Sequence, residues 1–244
     1  MNFGMMLSQE TNIDFMIHGI FQYNFFGHQV WITTTHVSLL LVMMVLIGFA
    51  IIVNRKITKL QAVPKGILNV AELLVEKLDG MVDSGMGKRA PAFRNYIGIL
   101  FMFILFSNLS GLMGLRPPTA DYGVTLPLAL ITFSIIHFVQ FKHQRLRDIW
   151  KSMCSPLPPW LPIWFPIGLI SEIAVPISMS LRLFANILSG LIIMTLIYGL
   201  LGWVATAWPA VLHVYFDIFS GSIQTYVFCL LTMTYTANAY GDED

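Results

Sequence analysis

Long apolar runs alternate with short polar breaks along this chain, and the lengths of the runs predict its elements. The first run goes from Val30 to Val53 and stops at Asn54-Arg55-Lys56. It is long enough for a helix to cross a hydrocarbon core about 30 Å thick. A second run covers Tyr96 to Leu115 and a third covers Val124 to Phe141, with the Pro-broken segment Arg116 to Asp121 between them. This spacing predicts a tight helical hairpin over 95–141. Beyond the polar stretch Lys142 to Asp148 and the Pro-rich Pro156 to Trp160, apolar tracts run from Leu161 to Leu201 and from Trp208 to Tyr240. The former is about twice what one perpendicular crossing requires at 1.5 Å per residue. No charge or Gly/Pro cluster marks a turn after Pro176, so one steeply tilted helix is expected there. The pattern predicts an all-α integral membrane protein with five membrane helices. The last two are long, tilted and antiparallel, a hairpin over 161–240, and all five form a single membrane domain.

One apolar pattern is not a span. From Pro64 to Gly85, Ile67, Val70, Ala71, Leu74, Leu78 and Met81 recur at helical spacing, while Glu72, Glu76, Asp79 and Asp83 form an acidic stripe. An amphipathic helix on the membrane surface over 64–85 fits this pattern. Its polar face is read either as solvated or as a dock for another subunit.

Composition agrees with the membrane assignment. Of 244 residues, 56% are hydrophobic and 11% charged, against roughly 25% charged in an ordinary soluble domain, and the mean hydropathy is +0.72. A net charge of +1 gives no reason to expect a nucleic-acid partner. Distribution matters more than the total. Eight of the 14 basic residues lie between Arg55 and Arg94 and four between Lys142 and Lys151. The positive-inside rule puts both clusters on the cytoplasmic side. The N-terminal segment 1–29 and the Arg116–Asp121 turn are then outside, and the C-terminal Asp242-Glu243-Asp244 is inside. Glu10 and Asp14, with no basic leader, argue against a cleavable signal peptide. Cys154 and Cys229 match no metal-ligand spacing and are read as small packing residues.

The candidate chemistry lies in the last hairpin. Between Ser152 and Gly241 there are three charged side chains, Glu172, Arg182 and Asp217. A guanidinium stays protonated at any working pH. Near the middle of a bilayer it costs at least about 2.5 kcal/mol, so an intramembrane Arg is a functional hypothesis by default. Ser178, Asn186 and Ser189 share the helical face of Arg182, which makes a polar stripe. On the last helix Asp217 and Gln224 are seven apart and share a face. Arg182 and Gln224 lie about equally far from the Gly202–Pro209 turn, so they are expected to hydrogen-bond across the hairpin. Asp217 lies roughly 10 Å outward of Gln224 and Glu172 roughly 15 Å inward of Arg182. A fixed cation flanked by acids at opposite depths suits two offset half-paths for protons. Each carboxylate can exchange protons, while the Arg blocks a direct leak.

The segment Pro166 to Asn186, with Arg182 in its Ser-Leu-Arg-Leu-Phe-Ala-Asn core, closely resembles the signature of subunit a of the rotary F-type ATP synthase. Phe106 to Leu112 and Pro117 to Leu130 resemble it too, and the order of spans agrees from Val30 to Tyr240. The resemblance implies a stator subunit that provides two proton half-channels. In that family the arginine, matched by Arg182, faces the essential carboxylate of a ring of c subunits. Asn186 matches the nearby asparagine, and Gln224 the glutamine that holds the arginine. The implied partners are the c-ring, the b subunits of the peripheral stalk, the rest of the complex and the lipid bilayer. Resemblance to bacterial members implies a bacterial plasma membrane rather than an organellar inner membrane. Two positions depart from the pattern. Leu191 stands where many members have an acid or His nine residues after the arginine, and Asp217 stands where His or Glu is frequent. The outer half-channel is then left to Asp217 with water, Asn108 or Asp121. His213, near the outer end of the last helix, is an interfacial or channel-mouth group, and His137 is read as packing within the bundle. Ser107, Asn108 and Ser110 are also read as interhelical contacts.

The six histidines contain no H-x-x-x-H pair, and there is no phosphate loop, nucleophile elbow or zinc motif. No metal or cofactor is therefore expected, and nucleotide chemistry belongs to another chain. Two other classes fit parts of the pattern. A stand-alone ion-coupled transporter also uses intramembrane charges, but internal repeats and paired broken helices are missing. An assembly scaffold explains the amphipathic helix but not the charges at membrane depth.

Overall fold

The computed structural model describes residues 19–25, 28–57, 66–145, 149, 164–201, 211–212 and 214–240. The N-terminal 18 residues, the Pro156–Trp160 segment with Cys154, the Gly202–Pro209 turn, His213 and the C-terminal acidic residues lie outside them. Among the described residues, five helices are long and apolar enough to cross a membrane.

A short antiparallel hairpin comes first, β1 (Gly19–Phe25) paired with β2 (His28–Thr33). The apolar pattern alone did not reveal it. Val30, Ile32 and Thr33 are β-branched and fit a strand, so the first helix, α1 (Thr34–Ile57), starts four residues later than the apolar run predicts. Its last turn carries Arg55 and Lys56, which complement the helix C-terminus. Helix α2 (Ile67–Met86) leads through a 3-10 turn, Gly87–Arg89, into α3 (Ala90–Leu109), with Pro in the first turn of α3 where no amide donor is needed. Gly87 sits at φ 55, a left-handed conformation that permits the sharp change of direction.

On α2, Leu68, Ala71, Val82 and Met86 are buried, whereas Val70 is 63% exposed. Val70 had been expected on the apolar face. Packing against α3 and the last helix covers Val82 and Met86, while Leu68 and Ala71 lie toward α1, so Val70 is left on an open side. Asp83 is joined to Arg94 of α3 by a bidentate pair with contacts of 2.7 and 2.8 Å.

After α3, a 3-10 turn (Ser110–Met113) ends at Gly114, φ 73, and a second (Pro118–Ala120) leads into α4 (Tyr122–His143). Helix α5 (Trp164–Leu201) is one continuous helix of 38 residues that passes through Pro176. At 1.5 Å per residue it is about 57 Å long, far more than the membrane core, so it must lie tilted. The last span opens as a π-helix, Val214–Ser220, and continues as α6 (Gly221–Ala239).

The core joins α2 to α6 through Val82, Ile97, Ile104, Leu183, Phe228 and Met233, all at most 1% exposed. Small polar residues are buried among them. Thr225, Thr232 and Thr236 run along the packed face of α6, each hydroxyl donating to the carbonyl four residues earlier. Large apolar side chains such as Ile99 and Phe138 point outward, 70% and 69% exposed. This distribution suits lipid as the solvent, because association inside a bilayer depends on close packing and hydrogen bonds rather than on hiding apolar surface.

Candidate functional site

Helix α5 positions Arg182. Met179, Leu183 and Ile187 are buried against the bundle, which turns Ser178, Arg182 and Ser189 to the opposite face, where all three are exposed. Asn186 is half-buried at the edge of that face. The predicted polar stripe is therefore the open face of the helix. Among the described residues, no hydrogen bond or ion pair engages Arg182.

The expected bond between Arg182 and Gln224 is not made. Gln224 is 8% exposed, and among the described residues its Nε2 has no partner. It lies on the packed face of α6, whereas Arg182 lies on the open face of α5. The π-helix adds a second correction. Its i→i+5 pattern underwinds the chain, so seven residues no longer return to the same face, and Asp217 and Gln224 face different surroundings. Gln224 is buried, whereas Asp217 lines a cavity.

This cavity has a volume of about 310 Å³ and lies between the α3–α4 turn, α5 and the π-helix. Arg116, Asn186, Leu191, Thr195 and Asp217 line it. A methyl group on Gly111 would meet Asp217 Oδ2 at 3.2 Å, so the carboxylate lies directly against that backbone. Ser220 donates to Asn186 Oδ1 at 3.1 Å and ties the π-helix to α5. Ser189 is occupied within its own helix, donating to the Asn186 carbonyl at 3.0 Å.

Neither of the other two residues expected at the entrance lines this cavity. Asn108 is 1% exposed and clamps three elements together. Its Nδ2 donates to the Gly221 carbonyl (3.0 Å) and Thr225 Oγ1 (3.2 Å), and its Oδ1 accepts from Thr119 (2.7 Å). Asp121 caps α4, accepting from the Gly123 amide at 2.9 Å. Structural hydrogen bonds engage both side chains. Arg116 takes a place beside Asp217 that sequence reasoning left unassigned, because a turn arginine at the membrane edge reads as solvated.

A second cavity, of about 210 Å³, opens at the other end of the bundle between α4, α5 and α6. Glu172 lines it with His137, Gln140, Gln144, Tyr235 and Asn238. His137 Nε2 lies 2.9 Å from Glu172 Oε1. Sequence reasoning placed His137 in the bundle packing and missed this contact. The depth argument used for Glu172 contained the signal. His137 is five residues from Lys142 in the last turn of α4, about 7.5 Å along the helix. Among the described residues no group of three or more His, Cys, Asp or Glu is placed to hold a metal.

A separate groove of about 800 Å³ runs between α1 and the acidic side of α2, lined by Glu72, Glu76, Asp79 and Asp83 with Val53 and Ile57. It is remote from Arg182 in the chain and lies on the surface that bears the basic segment ends.

Two cavities at opposite ends, each with one acid of the last hairpin, and an intramembrane arginine on an open face can divide an ion path in two and present its midpoint to another protein. The family model described as ATP synthase A chain matches residues 36–237. The chain is 33% identical over 230 residues to the sodium-ion-specific ATP synthase subunit a of Propionigenium modestum, covering 87% of this chain and 76% of that protein. It is 30% identical to ATP synthase subunit a of Moorella thermoacetica (85% and 90% covered) and 32% identical to ATP synthase subunit a 1 of Syntrophotalea carbinolica (95% and 92% covered). The chain belongs to the ATP synthase subunit a family, a multi-pass membrane component of the ATP synthase complex.

Proposed function

We propose that this chain is the stator through which protons cross the membrane sector of a bacterial plasma-membrane ATP synthase, with its N-terminus outside and its C-terminus in the cytoplasm. Protons enter past Asp217, neutralise a carboxylate of the c-ring, and leave past Glu172 after the ring has turned. Arg182 stands between the two paths and favours the deprotonated ring carboxylate beside it by Coulomb attraction. Asn186 holds the π-helix against α5 at the entrance. Gln224 lies within the hairpin, where its amide oxygen can accept from the arginine once the ring is seated. The acidic side of α2 is the surface for the peripheral-stalk b subunits.

The observation that carries the reading is the exposure of Arg182 on α5, with no described residue engaging it. A guanidinium facing lipid at mid-depth costs about 2.5–3.5 kcal/mol on insertion scales, so the open face calls for a partner that supplies a negative charge. A stand-alone transporter would close that charge within its own bundle. The two cavities support separate paths, since Asp217 and Glu172 lie in different ones.

The test is Arg182→Ala in the assembled complex. Proton-driven ATP synthesis is expected to disappear while passive proton conduction through the membrane sector continues. Full coupled synthesis in that variant would end the proposal. Asp217→Asn is expected to slow synthesis at least about tenfold, the scale of losing a positioned acid–base group. An unchanged rate would remove Asp217 from the path.

A further inference from the structure

His137 is bound in a way that its packing does not require. Its Nδ1 lies 3.0 Å from the Phe133 carbonyl of its own helix. A carbonyl only accepts, so Nδ1 carries a hydrogen there. That bond fixes the tautomer and leaves Nε2 as the nitrogen that gains or loses a proton. Nε2 meets Glu172 Oε1 at 2.9 Å, and the two side chains are 22% and 24% exposed. The pair is neither sealed in the core nor free in solvent. Its cavity of about 210 Å³ has room for several waters at about 30 Å³ each. The groups around the ring are few. Helix α4 contributes Gln140 and Gln144, α5 contributes Glu172, and α6 contributes Tyr235 and Asn238. Phe133 packs on the ring at 4.0 Å between centroids and limits its rotation.

From this geometry we infer that His137 and Glu172 form a two-group relay that holds one exchangeable proton at the inner mouth of the path. The inference rests on the reading of Glu172 as the exit. With neutral imidazole and carboxylate, the pair carries one negative charge and Nε2 faces Oε1 acceptor to acceptor, so the 2.9 Å contact belongs to the pair once it holds one proton. A proton arriving from the ring side binds Glu172 and makes the pair neutral. It passes along the 2.9 Å contact to Nε2, leaving an imidazolium beside a carboxylate. Water in the cavity takes it from Nε2 and the starting state returns. Run backwards, the same steps capture protons from the inner solution. With Nε2 beside the carboxylate, an arriving proton has two acceptors in reach, and the cavity water can exchange with either.

The test measures passive proton conduction through the assembled membrane sector in vesicles, with the inner-side pH varied from about 6 to about 9. Wild type is expected to stay within about threefold across this range, while His137→Gln conducts normally at the acid end and falls by up to about tenfold per pH unit above neutrality. Glutamine keeps an amide donor for Glu172 but exchanges no proton, so it separates relay from positioning. Added imidazole should restore much of the loss in His137→Ala. A His137→Gln profile that overlays wild type, or a loss in His137→Ala that is equal at every pH, would overturn the relay. Arg182→Ala and Glu172→Gln run alongside. Full coupled synthesis in those two variants would strike the parent reading, whereas their impairment with a flat His137→Gln profile strikes the relay alone.

Discussion

Replacing Asn108 by Ala should destabilise the bundle by an amount that can be worked from its contacts. The side chain makes three hydrogen bonds, at 2.7, 3.0 and 3.2 Å, linking α3, the turn before α4 and α6. Hydrogen bonds between membrane helices average about 0.6 kcal/mol and reach about 1.7, so three contribute roughly 2 kcal/mol. Thr119 is 0% exposed and, among the described residues, its hydroxyl has no other acceptor once the Asn amide is gone, which adds about 1 kcal/mol for an unsatisfied buried group. The Gly221 carbonyl loses less, since Thr225 also donates to it at 2.8 Å. The sum of about 2–3 kcal/mol corresponds to roughly a 30- to 150-fold shift in the unfolding equilibrium. Denaturing-detergent titration in mild micelles, followed by circular dichroism, measures it. Asn69→Ala, at an exposed position of α2, serves as control and should change stability by less than about 0.5 kcal/mol. A double-mutant cycle with Thr119→Val should give a coupling of about 1 kcal/mol. If Asn108→Ala matched the control, or the coupling were zero, the clamp would be wrong, and Asn108 would return as a candidate for the proton path.

Other substitutions follow from glycine contacts. Gly221→Ala places a methyl 3.1 Å from Asn108 Cβ, which the same clamp holds in place. Despite the better helix propensity of Ala, a net loss of about 1 kcal/mol or more is expected in the same titration. Gly85→Ala meets the sulfur of Met233 at 3.1 Å. A flexible thioether can swing aside, so stability should be unchanged or improved. Gly111→Ala pushes on the Asp217 carboxylate at 3.2 Å. Its signature should be slowed proton conduction with normal assembly, read by dye quenching in vesicles beside an assembly gel.

Much of the architecture was legible in the sequence because a bilayer imposes one-dimensional rules. Span length, basic clusters at the ends, and the need for internal backbone hydrogen bonds leave few arrangements. The run from Leu161 to Leu201 therefore read as one long helix, and α5 is one helix. Arg182, Glu172 and Asp217 were also visible, since each is a charge where charges are costly. Which residues face each other was not visible. Helical spacing at 3.6 residues per turn put Gln224 beside Arg182 and in line with Asp217, but the π-helix from Val214 to Ser220 breaks that register. Nothing in the residue pattern announced that break. Asn108 and Asp121 are polar residues like any others until their hydrogen bonds are known: tertiary packing engages Asn108, and the cap of α4 engages Asp121. The same packing brings His137 to Glu172 from 35 residues away. Periodicity within one helix fixes a face, while the pairing of faces depends on interhelical rotation, which only the assembled bundle decides.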